Sequence, residues 1–289
     1  MSERLFIFGA GFSSKAFAKA VRDRFDWIGG TTRSEQKGEA LRAMGVEPFV
    51  FDGQTAEPAI SNALTLASHV LVSIAPDETG DPVLNTHRQD LTDAKPDWIG
   101  YLSTVGVYGN HDGAWVNEQT PCRPVSRRSK QRLAAEQDWL DFASETGCPV
   151  QIFRLSGIYG PGRSTFENFR TGRARRLIKP GQVFNRIYVD DIAGVLCRAM
   201  DRRETRIFNV TDDEPAPPQD VVTYAAGLLG VDAPPEIPFE EADLSPMARS
   251  FYGENKRVSN ARVKEELGYS FQYPNYRIAL DHLLKQEGH

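Results

Sequence analysis

The stretch of this chain best suited to binding chemistry is Gly9-Ala10-Gly11-Phe12-Ser13-Ser14. The apolar run Leu5 to Phe8 before it is too short for a helix. After it, alanines, Phe17 and Val21 recur at helical spacing, so the order is strand, tight turn, helix. In such a turn the first glycine permits the reversal, and the second removes a side chain where backbone must approach a pyrophosphate. The helix N-terminus then presents free N–H groups and a partial positive charge to the phosphates. Ser14 stands in the third glycine slot and is small enough for close helix–strand packing. Gly9, Ala10, Gly11, Phe12, Ser13 and Ser14 are therefore candidate dinucleotide contacts.

The next strand, Asp26 to Thr31, runs into Thr32-Arg33, where an NAD site commonly places an acidic residue on the ribose 2′-hydroxyl. No acid stands there. Thr31, Thr32, Arg33 and Ser34 offer hydroxyls and a guanidinium, which suit a 2′-phosphate, so NADP is preferred over NAD. Arg33 reads alternatively as a solvated loop residue. Asp52 is a candidate for the adenine amino group and, equally, a turn-former before Gly53. Ala75 and Pro76 end a strongly apolar strand and would lie over the cofactor, because parallel strands of open sheets point their carboxyl ends at the ligand.

Composition bounds the rest. The 289 residues, 40% apolar and 25% charged, suit a soluble globular protein of one large or two closely joined domains. A net charge of −5 and a pI near 5.6 argue against nucleic acid or an anionic membrane as the main partner. Cys122, Cys148 and Cys197 form no Cys-x-x-Cys pair, so neither a disulfide framework nor a zinc site is indicated, and a reducing cytoplasm fits. No leader-like or membrane-spanning apolar segment is evident.

The elements that must position these residues alternate. Helix is expected over 35–44, strand over 46–51, helix over 57–67, strand over 69–74, helix over 83–94 and strand over 98–103. A long helix over 127–146 and a strand over 150–155 follow. This alternation predicts an α/β fold of Rossmann type, a doubly wound parallel sheet with a smaller C-terminal α/β lobe for substrate. Residues 1–160 with about 182–212 would form the cofactor domain, and about 161–181 with 213–289 the substrate lobe. Asp190-Asp191 is expected to cap the helix running to Met200, and 259–267 to be helical.

Four segments carry a family resemblance: Leu102-Ser103-Thr104-Val105-Gly106-Val107-Tyr108-Gly109, Arg154-Leu155-Ser156-Gly157-Ile158-Tyr159-Gly160-Pro161-Gly162, Arg186-Ile187-Tyr188-Val189-Asp190-Asp191-Ile192-Ala193 and Phe208-Asn209-Val210. Together with the glycine turn they resemble, over nearly the full length, the extended short-chain dehydrogenase/reductases, which include nucleotide-sugar epimerases and dehydratases. The resemblance implies a Ser or Thr after the fifth strand and a Tyr-x-x-x-Lys pair on the next helix, the tyrosine passing a proton while the nicotinamide passes a hydride. Thr104 matches the first slot. The helix has no tyrosine, which resembles the atypical group that keeps the fold but lacks the active-site Tyr and Lys.

Two registers compete for the vacant pair, Ser126 with Lys130 or Arg128 with Arg132. They lie about 200° apart around the helix, so both cannot face the cofactor. Ala135, Trp139, Leu140, Phe142 and Ala143 define an apolar face that includes Arg128, Arg132 and Glu136, which favours the arginine pair. A salt-bridged helix flank is the plain alternative. Arginine cannot carry a proton near neutrality, although it can hold an anion or ribose hydroxyls. Tyr108, Tyr159 and His111 are other proton-carrying residues near the expected mouth, and each reads also as packing or loop. Arg163, Arg170, Arg173, Arg175 and Arg176 could face an anionic substrate or simply solvent.

The expectation is a cytoplasmic NADP-dependent oxidoreductase or epimerase-like enzyme for a small polar, nucleotide-linked substrate, with no metal. Thr104 would orient the substrate, Arg128 and Arg132 would bind charge, and Tyr108 or a water would carry the proton. The alternative is a non-catalytic NADP-binding sensor. Proteins of this resemblance commonly pair through helix faces, so a homodimer is expected.

Overall fold

A computed structural model describes residues 3–287; the outermost ends of the two expected lobes lie outside them. The first half alternates β1 (Arg4–Phe8), α1 (Phe12–Ala20), β2 (Trp27–Thr32), α2 (Glu35–Arg42), β3 (Glu47–Val50), α3 (Pro58–Leu64), β4 (His69–Val72), α4 (Pro82–Ala94) and β5 (Trp98–Thr104). A 3-10 turn, Val105–Tyr108, leads to β6 (Trp115–Val116), α5 (Arg127–Thr146), β7 (Val150–Leu155) and β8 (Gly157–Tyr159). Then come α6 (Thr165–Arg170), β9 (Arg176–Ile178), β10 (Arg186–Tyr188), α7 (Val189–Ala199) and β11 (Arg206–Val210). The chain closes with α8 (Pro218–Leu229), β12 (Glu236–Pro238), α9 (Pro246–Phe251), β13 (Arg257–Val258), α10 (Ala261–Leu267) and α11 (Tyr276–Glu287).

Seven strands form one parallel sheet in the order β11-β7-β5-β4-β1-β2-β3. Leu5–Phe8 in β1 and the whole of β4 and β7 are buried, as parallel strands covered on both faces require. One face packs on Phe17 and Ala18 of α1, on Val21 just after it, and on Ile192, Val195 and Leu196 of α7. The other packs on Ile60 and Leu64 of α3, Val83 and Leu91 of α4, and Trp139 and Phe142 of α5. Chain direction across the sheet reverses between β1 and β4, which opens a crevice at their carboxyl ends. A separate core gathers Phe166, Val221, Ala225, Tyr276, Leu280 and Leu283, with Phe12 and Tyr159 packed against it.

Several boundaries differ from expectation. β4 stops at Val72 rather than Ile74, and α10 begins at Ala261 rather than Ser259. The two- and three-residue strands β6, β8, β9, β12 and β13 pair only with one another or with β10, and runs this short carry no periodic signal. The expected cap at Asp190-Asp191 is corrected: Tyr188 occupies the N-cap position, and both aspartates lie in the first turn of α7. Fully buried Asp191 accepts hydrogen bonds from the Tyr269 hydroxyl (2.7 Å) and the Gln272 and Tyr273 N–H groups (2.8 and 2.9 Å). It thereby ties the C-terminal segment to α7, a contact with residues about 80 positions away that local spacing cannot report.

Candidate functional site

The glycine turn is tightly fastened on one side and open on the other. Gly9 has φ +85°, and a Cβ there would lie 3.0 Å from Ile74 Cγ1 and 3.2 Å from the Ile74 nitrogen, so only glycine passes this close to the end of β4. The Gly9 N–H donates to Thr31 Oγ1 (2.8 Å) and the Ala10 N–H to the Thr31 carbonyl (3.0 Å), which fastens the turn to β2. Gly11 is exposed, and a Cβ there would meet nothing nearer than the Gly9 carbonyl at 4.0 Å, so its open side faces the crevice. Gly11 also serves as N-cap of α1 without any side-chain cap, and the first turn holds no acid. The leading N–H groups of α1 thus have no side chain to satisfy them, which fits a pyrophosphate. Ser13 and Ser14 are buried, and Ser14 Oγ lacks a protein partner.

Around the adenosine end the candidates separate. Thr31 is buried and spent on the Gly9 N–H. Thr32 is partly buried, while Arg33 is exposed and hydrogen-bonds no described residue. Asp52 is exposed and turns back on itself, Oδ1 accepting from the Gln54 and Thr55 N–H groups (2.7 and 3.2 Å), which hold its carboxyl below the usual range. Ala75 is exposed and Pro76 partly buried just past the end of β4.

At the other side of the crevice the two helix arginines part company. Arg132 is partly buried, and its Nη1 donates to the Leu102 carbonyl (2.9 Å), to the Tyr101 hydroxyl (3.0 Å) and, at 3.4 Å, to the Ile74 carbonyl. The guanidinium therefore bridges the carboxyl ends of β4 and β5. Arg128, expected beside it, is exposed and hydrogen-bonds no described residue, so its inward placement is corrected. The reason is the start of α5. Ser126 is its N-cap and accepts from the Ser129 N–H (3.1 Å), and buried Ser129 takes the inward position. A Cβ on Gly106 would stand 2.8 Å from Ser129 Oγ, so the helix docks there on a residue without a side chain. Lys130 is exposed. Thr104 is partly buried at the end of β5, its Oγ1 accepting from the Gly106 N–H (3.1 Å).

The structure takes Tyr108 out of the crevice. It is fully buried, donates to Asn209 Oδ1 (2.8 Å), accepts from Arg154 Nη1 (3.0 Å), and burial pushes its hydroxyl up to about 12. It belongs to a buried polar network: Arg154 Nη2 pairs with Glu136 Oε2 (2.7 Å), and the Ser103 hydroxyl donates to the same carboxylate. Sequence reading included Arg154 in a motif but gave it no role, because its partner lies 18 residues away on a different element. His111 turns Nε2 to the Tyr108 carbonyl (3.1 Å). Of the arginine-rich segment, Arg170 pairs with Glu167 and Glu287, Arg176 with Glu236 (3.6 Å), Arg173 bonds Thr171 Oγ1 (3.0 Å) and Arg175 bonds the Asp243 carbonyl (2.6 Å). These four are tied to partners within residues 167–171 and 236–287. Arg163 alone reaches the glycine turn, its guanidinium 5.7 Å from the Phe12 ring centroid.

Comparison with known proteins sharpens this arrangement. Residues 91–211, which carry Thr104, α5 and β7 through β11, match the model of the NAD dependent epimerase/dehydratase family. A conserved, functionally unknown protein from Silicibacter pomeroyi DSS is 47% identical over the full length of both chains, with a TM-score of 0.91. Over residues 91–211 the chain is similar to the NAD-dependent epimerase/dehydratase family. Protein YeeZ of Escherichia coli K12 is 27% identical over 288 residues, 94% of this chain and 97% of that one. UDP-glucuronic acid 4-epimerase from Bacillus cereus, solved in complex with NAD, shares the fold at 15% identity with a TM-score of 0.77, covering 99% of this chain and 100% of that one. The NAD that the matched model names accords with the open glycine turn at the β1/β4 reversal. Among the described residues no helix is long and apolar enough to cross a membrane, and no cluster of His, Cys, Asp and Glu could hold a metal ion.

Proposed function

We propose that this chain is an NADP-dependent oxidoreductase of epimerase/dehydratase type acting on a small polar substrate of the nucleotide-sugar kind. The observation that carries the reading is Arg132, whose guanidinium lies on the Leu102 carbonyl at 2.9 Å, beside the strand-order reversal that also presents the glycine turn. When bound, a nicotinamide cofactor supplies hydride transfer. The chain's residues do the rest: the α1 N-terminus holds the pyrophosphate, and Arg132 holds ribose hydroxyls where a lysine usually would. Thr104 orients the substrate, and exposed Arg128 binds charge at the rim. With Tyr108 buried, a water carries the proton. The absence of an acid at the end of β2, together with exposed Arg33, supports the 2′-phosphate.

Calorimetry with NADP and NAD tests this. Arg132→Ala weakens both by about tenfold or more, and Arg33→Ala weakens NADP alone. Equal affinities unchanged by Arg33→Ala contradict the NADP assignment. Thr104→Ala removes turnover while keeping cofactor affinity; full turnover in that variant sinks its role.

A second reading, a non-catalytic NADP-binding sensor, is favoured by the tyrosines. Burial raises the hydroxyls of both Tyr108 and Tyr159, and α5 supplies no substitute proton carrier. It predicts cofactor binding without NADPH oxidation by any nucleotide sugar or carbonyl compound, and reproducible turnover eliminates it. Residues about 161–181 and 213–289 serve in either reading as the substrate lobe. A cytoplasmic homodimer accords with three free cysteines and with the family's helix-face pairing, and sedimentation measures its mass.

A further inference from the structure

We infer that Arg163, on the turn between β8 and α6, is the counter-charge of the dinucleotide's pyrophosphate, held against the glycine turn from outside the sheet; this rests on the cofactor reading above. Local sequence makes the arm that carries it stiff. Gly160-Pro161-Gly162-Arg163 closes on itself, the Gly160 and Arg163 N–H groups each donating to the other's carbonyl at 3.0 Å. Pro161 fixes φ at the second position, and Gly162, at φ +68°, supplies the positive φ that a type II turn needs at the third. Arg163 is therefore placed by backbone rather than left on a loose loop.

The arm is pressed against the start of α1. A Cβ on Gly160 would lie 2.7 Å from Val189 Cγ1 and 3.3 Å from the Phe12 ring, so a larger residue would push turn and helix apart. Arg163 sets its guanidinium 5.7 Å from the centroid of that same ring, within the range of a cation–π contact. Phe12 is the first residue of α1, directly after Gly11. The guanidinium thus stands one side chain away from the uncapped N–H groups.

What Arg163 leaves unused defines its guest. A guanidinium is always charged and offers N–H donors in a planar fork. None of these has an acceptor among the described residues, and no described carboxylate lies within ion-pair distance, whereas Arg170 and Arg176 farther along the segment are paired. The α1 start is in the same condition: its end carries about half an elementary positive charge, and no acid in the first turn opposes it. A diphosphate bears a negative charge on each phosphoryl group, more than a helix end offsets by itself, and its paired oxygens match the arginine fork. Helix start and arginine together supply what it lacks. Phe12 also packs against the core of Phe166, Val221 and Tyr276, so a diphosphate held between α1 and Arg163 joins the sheet to that second core. A nucleotide-linked substrate carries a diphosphate too; the contact with Phe12, which opens α1, favours the cofactor's.

Calorimetry on the full chain with NADP and with NAD tests this. The pyrophosphate is common to both, so Arg163→Gln weakens each by the same factor, about tenfold, whereas Arg33→Ala weakens NADP alone. Arg163→Lys keeps the charge without the fork and recovers part of the loss. Arg163 is exposed, so the gap between wild type and Arg163→Gln narrows at about 1 M salt. A wild type that binds neither dinucleotide fails the cofactor reading and the inference with it. Binding of both, undiminished in folded Arg163→Gln, overturns the inference and spares the reading. A loss confined to NADP assigns the arginine to the 2′-phosphate, and a gap that salt does not narrow is a structural effect on the turn; either overturns it. UDP titrated onto the NADP complex separates the two diphosphates: weaker UDP binding in Arg163→Gln with dinucleotide affinity intact gives the arginine to the substrate and overturns the assignment to the cofactor.

Discussion

Two helices begin at the same crevice and are finished in opposite ways. α1 starts on Gly11 with no side-chain cap and no acid in its first turn. α5 starts on Ser126, whose hydroxyl takes up the Ser129 N–H at 3.1 Å. An N–H left open at a helix start seeks an acceptor, and one already capped does not. α1 therefore leaves backbone N–H groups open, whereas α5 presents a side chain, Arg132, placed by carbonyls of the neighbouring strands. The same contrast holds deeper in the helices. α5 carries Glu136 into a buried ion pair with Arg154, and α1 sends inward only Phe17, Ala18 and two serines. The open helix start is stabilised by little of its own, and the capped one is anchored by a buried ion pair.

Three substitutions probe that contrast. Glu136→Ala leaves Arg154, 4% exposed, without its carboxylate and should lower unfolding stability in urea by about 3–5 kcal/mol. A loss below about 1 kcal/mol would show that α5 is not held from within. Gly9→Ala forces a side chain into a positive-φ position against Ile74. We expect it to cost about 1–3 kcal/mol and to weaken NADP at least about tenfold by calorimetry. Ser126→Ala removes only the α5 cap, so stability falls by about 1 kcal/mol while cofactor affinity stays unchanged. If Ser126→Ala weakens the cofactor as strongly as Gly9→Ala, the two helix starts share one function and the distinction fails.

Legibility followed the range of the interactions. The glycine turn, the alternation that builds the sheet and the span of α5 were readable because each depends on neighbours within a few residues. Helical phase also brought Arg132 and Glu136 inward, but it made Glu136 the i,i+4 partner of Arg132, whereas the carboxylate pairs with Arg154. It placed Arg128 with them because a periodicity argument assumes that the first turn behaves like the middle of a helix. Ser126 and Ser129 close that turn on themselves, and Arg128 is left to solvent. Tyr108 looked like a proton carrier because it stands four residues after Thr104 in a loop. The 3-10 turn Val105–Tyr108 instead folds it under the sheet's end, against Arg154 and Asn209.

What the sequence determined by itself is the α/β class and the glycine turn after β1, since both rest on local spacing and on the conformations glycine alone can adopt. Tertiary structure decided which polar groups meet. Arg154 with Glu136, and Asp191 with the 269–273 segment, are brought together by strand pairing and helix docking across separations that no local pattern encodes. Burial then sets the charge and hydrogen-bonding needs of each group, which is why the glycine turn could be read early while the chemistry beside it waited for the fold.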